Sequence, residues 1–228
     1  MKFEYCEVID LTLPITSGMD IPTGLRATLP PVEFKLYSRA EEQGLQVGHL
    51  STPIHAGTHL DTPRHIYPDG KTLDEISMDA FIGKGICVDV SQAKENEEVT
   101  VEMLLPYEDR IQPGMVVFLY TGWSERMFGT LEYWNNSPVL STSAADWLVK
   151  EKGAKMLGYD FFQDAGAKGF KTFLKNFLAH EHVLGQGALQ VEHLTNLSRV
   201  VGKEFFAIAL PLKIVGGEGS PTRVIALM

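Results

Sequence analysis

Cysteine is scarce in this 228-residue chain: Cys6 and Cys87 are too few for a disulfide framework or a cysteine-rich structural metal site. Each is expected as a small buried hydrophobe without a chemical role. Basic runs are lacking as well. Lys and Arg total 20 against 29 Asp and Glu, a net charge of −9 scattered along the chain, so nothing tracks phosphates and nucleic acid is not an expected partner. No segment approaches the ~20 apolar residues that span a bilayer, and Met1-Lys2-Phe3-Glu4-Tyr5-Cys6 carries no apolar run behind its basic residue. The expectation is a cytoplasmic protein with no membrane partner. There is no internal repeat and no low-complexity tract. The 44% hydrophobic content is enough for the core of one domain over residues 1–228.

Apolar pulses bounded by turn residues alternate with amphipathic stretches. Val8 to Leu13, Gly44 to Thr52, Ile86 to Val90, Met115 to Tyr120 and Lys155 to Tyr159 read as strands, as do Ala188 to Val191, Phe205 to Leu210 and Arg223 to Leu227. Helices are expected over Leu73 to Phe81, ended by Gly83 and Gly85, from Thr100 to about Pro106, from Ser141 to a C′ glycine at Gly153, and over Lys171 to Leu184. Thr16 to Pro31, with Gly18, Pro22, Gly24, Pro30 and Pro31, reads as a covering arm. Such alternation predicts a mixed α/β domain.

The chemistry concentrates in His55-Ala-Gly57-Thr58-His59-Leu-Asp61-Thr-Pro63-Arg-His65, where three of the seven histidines and an aspartate occupy odd positions. Imidazole and carboxylate are lone-pair donors that suit a divalent metal. On a helix Asp61 would lie ~200° round the axis from His59, splitting the set. In an extended chain the odd positions share a side. A straight strand, however, puts the His55 and His59 backbones ~13 Å apart, while both nitrogens must come within ~2.1 Å of one ion. The segment must therefore bend, with Gly57 the residue best able to do it and Pro63 fixing the direction toward His65. A second cluster, His180-Glu181-His182 with Glu192 and His193, contains candidates to complete the shell. On a helix His180 and His182 face roughly opposite ways, so at most one enters a shared site. Spacing does not choose between that role and a solvated histidine pair.

The pattern His55-x-Gly57-Thr58-His59-x-Asp61-x-Pro63-x-His65 resembles the motif of the metal-dependent cyclase/hydrolase family that includes kynurenine formamidases and isatin hydrolases. Similarity extends to His180, twelve residues before Glu192, and to the blocks Glu192 to Leu197 and Gly216 to Arg223. The resemblance implies a swivelling β/β/α fold, a mixed sheet with flanking helices, in a homo-oligomer, dimer or tetramer, holding one or two divalent ions, Zn²⁺ or Mn²⁺. It implies a first ion on His55, His59 and Asp61, a second on Asp61, His180 and Glu192, and His65 as the free general acid/base. His182 and His193 receive no family role and are expected to be structural.

The expected activity is hydrolysis of a small amide, an aryl formamide or a cyclic amide, by metal-activated water. A lactone-hydrolysing or dehydrating cyclase is the enzymatic alternative, and a metal-holding module without catalysis the non-enzymatic one. Ile21 stands before Pro22 where the formamidases carry an aromatic residue, placing Ile21 as a substrate contact and weakening an expectation of kynurenine specificity. Gly158 to Gln163 lacks the Pro-Ser common in relatives, and Phe161 is a candidate to line the pocket beside Phe162, although two consecutive aromatics after a strand are at least as often core. Ile66 stands where relatives often have Phe. Ser220, in the Gly216 to Ser220 loop, is a further candidate for substrate contact.

Overall fold

Strand runs with no polar alternation are those buried on both faces, and Ile86 to Val90 with Met115 to Tyr120 form the middle of the sheet. The computed structural model describes residues 7–21, 29–164 and 177–228. In chain order the strands are β1 (Val8–Asp10), β2 (Glu33–Ser38), β3 (Val47–Ser51), β4 (His59–Asp61), β5 (Ile82–Asp89), β6 (Glu98–Val99), β7 (Val116–Tyr120), β8 (Val139–Leu140), β9 (Met156–Tyr159), β10 (Leu189–Glu192), β11 (Glu204–Pro211) and β12 (Gly219–Leu227). The helices are α1 (Ala40–Gln43), α2 (Val101–Leu104), α3 (Trp123–Met127), α4 (Leu131–Asn135), α5 (Thr142–Asp146) and α6 (Leu178–Leu184).

The sheet is mixed, as expected, and it curls into a barrel-like form. Its order runs β1-β12-β11-β5-β7-β9-β10-β4, and β4 also pairs with the start of β12. Strands β5, β7, β9 and β10 are mutually parallel, whereas β4, β11 and β12 join antiparallel. Because side chains alternate across a strand, Leu60, Phe118, Met156, Val191 and Val224 share the inner core. Ile86, Val88, Val117, Leu119, Leu157 and Tyr159 take the other face, packing with Trp123, Trp134, Ala144 and Leu148 of the helices. The same alternation puts His59, Asp61, Gln190 and Glu192 opposite the inner core, on the side of α6.

Local chemistry explains both agreement and departure. Ser141 caps α5 by accepting from the Ala144 N–H at 3.1 Å, the helix widens into a π turn over Trp147–Glu151, and Gly153 follows at φ +69°. The expected helix over Leu73 to Phe81 is instead two 3-10 turns, Leu73–Glu75 and Met78–Ala80, separated by the extended Ile76. Thr72 and Glu75 close a capping box on the first turn, which ends after its buried Leu73 is placed. Gly83 and Gly85 are not helix stops but lie within β5. A Cβ on Gly85 would come 2.7 Å from Phe205 Cε2, so the glycine admits that ring. Strand β3 falls within the expected Gly44 to Thr52, whereas its hairpin partner β2, the short β6 and β8, and α3 and α4 were not signalled by pattern. The helix expected from Lys171 is observed over Leu178–Leu184; residues 171–176, together with Cys6, Pro22 and Gly24, fall outside the described residues.

Candidate metal centre

Strand pairing assembles the site. In the β4–β10 register Asp61 faces Gln190 and His59 faces Glu192, while β12 sets Gly219 opposite Asp61. The bend required ahead of β4 is at Gly57, whose φ is +61°, a left-handed conformation that glycine adopts without a steric penalty. Its carbonyl accepts from His59 Nδ1 at 2.8 Å, which fixes the tautomer and leaves Nε2 with its lone pair. A Cβ on Gly219 would stand 3.1 Å from His55 Cε1, so the glycine lets the His55 ring lie against β12. Pro63 opens the 3-10 turn Pro63–His65, pinned where Thr62 donates through N and Oγ1 to the Glu218 carbonyl, both at 3.0 Å.

Three sets of donor atoms lie within 4.8 Å of one another: His55, Asp61 and His65; Asp61, His180 and Glu192; and His59, Glu192 and His193. Asp61 Oδ1 is 2.9 Å from His55 Nδ1 and 3.5 Å from His59 Nε2, and Asp61 Oδ2 is 3.5 Å from His180 Nε2. Glu192 Oε1 lies 2.9 Å from His180 Nε2, and Oε2 lies 3.6 Å from His59 Nε2. Two ligands held ~2.1 Å from one ion at a tetrahedral angle stand about 3.4 Å apart. Buried His59 Nε2, Asp61 Oδ1 and His193 Nε2 have no hydrogen-bond partner among the described residues, although unpaired buried polar atoms are costly. Orphaned donors at coordination spacing, all nitrogen and oxygen, fit a divalent cation.

The surrounding groups hold the donors in place. Asp164 accepts from Ala179 N at 2.8 Å and from His180 Nδ1 at 2.5 Å, turning His180 Nε2 toward Asp61 and Glu192. Gln190 Nε2 donates to Asp61 Oδ2 at 3.0 Å and to Glu192 Oε1 at 3.1 Å, and Gln163 Nε2 also donates to Glu192 Oε1.

The same contacts set the charges of the cluster. Burial opposes ionisation of Asp61 and Glu192, but the facing histidines outweigh it, holding Asp61 well below the usual carboxylate range and Glu192 at about 2. Burial likewise opposes the charge of His55, yet Asp61 and Glu218 lift it to about 9. His65 behaves differently: burial, with help from His55 and His180, lowers it to about 4. It is therefore a neutral imidazole near pH 7. Its ring stands 4.1 Å from that of His55 and 5.3 Å from that of His180.

The structure thus brings together His55, His59, Asp61, His65, His180 and Glu192. It does not do the same for the substrate candidates. Phe161 is fully buried in the larger core with its ring 5.6 Å from Tyr159, so of the two places open to it, pocket lining or core, it takes the core. Phe162 is the neighbour that faces the site, 6.3 Å from the His193 ring. Ile21 packs with Val32 and with Ala56, which adjoins His55. Ser220 accepts from Leu212 N and donates to the Pro221 carbonyl, so its hydroxyl serves the backbone. His182 leaves the site for Asp146 on α5, 2.7 Å away, as its opposite helical face implied. Sequence reasoning missed Gln163, Asp164, Gln190, Glu218 and the placement of His193. Gln190 alone carried a signal, two residues before Glu192 on one strand face.

No helix among the described residues is long and apolar enough to cross a membrane. Residues 9–163, well over half of the chain, match the family model of the Cyclase family. The chain is 28% identical to isatin hydrolase of Roseibium aggregatum, covering 97% of this chain and 92% of that protein. It is 26% identical over 223 residues to kynurenine formamidase of Bacillus cereus, covering 96% of both. The structure of isatin hydrolase A from Labrenzia aggregata bound to benzyl benzoate matches with a TM-score of 0.83 at 26% identity, covering 97% of this chain and 93% of that one. Motif, sheet and family match agree, and this protein belongs to the Cyclase family.

Proposed function

We propose that the protein is a metal-dependent hydrolase of a small amide, an aryl formamide or a cyclic amide, with His65 as its general acid/base. The observation that carries this reading is the juxtaposition of orphaned, convergent donors with a neutral histidine beside them. His55, His59 and Asp61 would hold one divalent ion, and Asp61, His180 and Glu192 a second, because a carboxylate has two oxygens to share. A Zn²⁺ or Mn²⁺ ion bound there supplies Lewis-acid activation of water and of the scissile carbonyl. The chain's own residues do the rest. Asp164 and the Gly57 carbonyl orient His180 and His59 through their Nδ1 atoms. Neutral His65 accepts a proton from the attacking water as its oxygen joins the carbonyl carbon, and returns it to the leaving nitrogen as the C–N bond breaks.

The names of the relatives, isatin hydrolase and kynurenine formamidase, support the substrate class. The same reading carries the swivelling β/β/α description and a homo-oligomer. The latter is supported by Phe34, Tyr37, Val47 and Leu50, which the β2–β3 hairpin exposes; sedimentation as a monomer would remove it.

The test is elemental analysis of the purified protein together with turnover of N-formyl aromatic amines, isatin-like cyclic amides and lactones. Turnover of either amide class by metal-loaded protein supports the reading. Turnover of lactones alone reassigns the substrate class, and a metal-loaded protein inert on all three contradicts the amide assignment.

A further inference from the structure

His193 has one nitrogen accounted for. Its Nδ1 meets the Tyr133 hydroxyl at 2.7 Å, in a fully buried contact. Its Nε2 has no hydrogen-bond partner among the described residues, yet lies 3.4 Å from Glu192 Oε2. His59 Nε2, equally unpartnered, lies 3.6 Å from that same oxygen. His59, Glu192 and His193 each offer a donor atom within 4.8 Å of the others'. The gaps match the about 3.4 Å between neighbouring ligands of a tetrahedral ion.

The surroundings build the position rather than leave it to chance. The His193 ring stands 5.1 Å from Trp134 and 5.6 Å from Tyr133, which limits its rotation. The His193 carbonyl accepts from Thr58 Oγ1 at 2.6 Å, tying it to the residue just before His59. The backbone of His193 is held at φ +56°; the other non-glycine residues with positive φ among those described are Asn96 and Asn196. Asparagine tolerates that region through local hydrogen bonds, whereas an imidazole kept there is over-determined by its contacts.

We propose that His193 Nε2 is a metal ligand, sharing a divalent ion with His59 Nε2 and Glu192 Oε2, while Tyr133 orients it by accepting from Nδ1–H. This rests on the metal-dependent reading above and adds a donor to it: His59 Nε2 lies 3.5 Å from Asp61 Oδ1 and 3.6 Å from Glu192 Oε2, so the ion it holds has His193 within reach, and His193 is not merely structural. This assignment places the His193 proton on Nδ1. With Nδ1–H donated to Tyr133, Nε2 presents a lone pair toward a carboxylate oxygen, an arrangement that is repulsive until a cation lies between them.

The experiment uses the metal-stripped full chain, labelled with ¹⁵N-histidine and loaded with ¹¹³Cd²⁺, alongside Zn²⁺ titrations of wild type, His193→Gln and Tyr133→Phe. The expected results are a cadmium coupling at His193 Nε2 and Zn²⁺ affinity weakened at least tenfold in His193→Gln. Tyr133→Phe should weaken Zn²⁺ binding about 10- to 100-fold, the usual loss when a ligand's orienting partner is removed. Coupling at other histidines but not at His193, or unchanged Zn²⁺ stoichiometry and affinity in His193→Gln, overturns the assignment and leaves the metal-dependent reading standing. Failure of wild type to bind either ion overturns both. If His193→Gln does not fold, the cadmium coupling in wild type decides.

Discussion

Asp164 grips His180 by Nδ1 at 2.5 Å while accepting from the first turn of α6 through Ala179 N at 2.8 Å. One carboxylate thus sets both where α6 begins and where the His180 ring points. Asp164→Asn leaves one oxygen and one misplaced donor. Zn²⁺ affinity should fall about 10- to 100-fold, measured by competition with a chelating dye. Unchanged affinity would mean that α6 alone orients the ring.

Burial lowers His65 to about 4, against the pull of Asp61, so it is neutral near pH 7. His65→Gln should keep the full metal content while kcat falls about 10²- to 10⁴-fold, the range of general acid/base catalysis. Elemental analysis alongside amide turnover separates the two effects. Loss of the metal in this variant would instead make His65 a ligand with His55 and Asp61.

Asp160 accepts from Thr121 N at 2.8 Å and from Thr121 Oγ1 and Gly122 N, both at 2.6 Å, joining the end of β9 to the start of α3. Burial nonetheless pushes its carboxyl up to about 7. Between the ordinary 3.8 and about 7, the folded protein keeps a proton that the unfolded chain has released, so this group's contribution to stability declines as pH rises through that window. Asp160→Asn cannot titrate. The stability difference between wild type and variant, from urea midpoints, should shift toward the variant up to about pH 7 and then level off. A difference independent of pH would show that Asp160 stays ionised when folded.

Gly158 is buried in β9, and a Cβ there would meet Phe118 Cδ1 at 2.4 Å and Leu194 Cδ1 at 2.7 Å. Gly158→Ala should cost about 1–3 kcal/mol by overpacking, lowering Tm by several degrees. An unchanged Tm would mean that the two side chains repack freely.

The His55 to His65 segment was legible because its ligands are close in sequence and their alternation admits few conformations; the bend at Gly57 followed from ligand reach alone. The longer apolar strands were legible for the same local reason. Strand β4 was hidden because His59 and Asp61 look like solvent-facing residues but are buried at the candidate metal centre, on the side away from the inner core, leaving Leu60 as the one side chain of β4 turned to that core. The placement of His193 was hidden because its contact with Tyr133 joins residues far apart in sequence, and Gln190, though on the strand face of Glu192, is tied to Asp61 only by the register of β4 on β10. The Leu73 to Phe81 stretch misled because its apolar spacing suits successive 3-10 turns as well as a helix, and Gly83 and Gly85 answer to Lys155 and Phe205 rather than to a helix end.

The central claim is that a divalent ion held by this histidine–carboxylate cluster drives amide hydrolysis. The most direct measurement compares turnover of isatin and of N-formyl aromatic amines by wild-type protein as purified, after chelation, and after readdition of Zn²⁺ or Mn²⁺. Activity on at least one amide should vanish with the ion and return with it, while circular dichroism shows the stripped chain still folded. Undiminished hydrolysis by the metal-free protein, or a reconstituted protein that binds the ion yet turns over neither amide, would contradict the account.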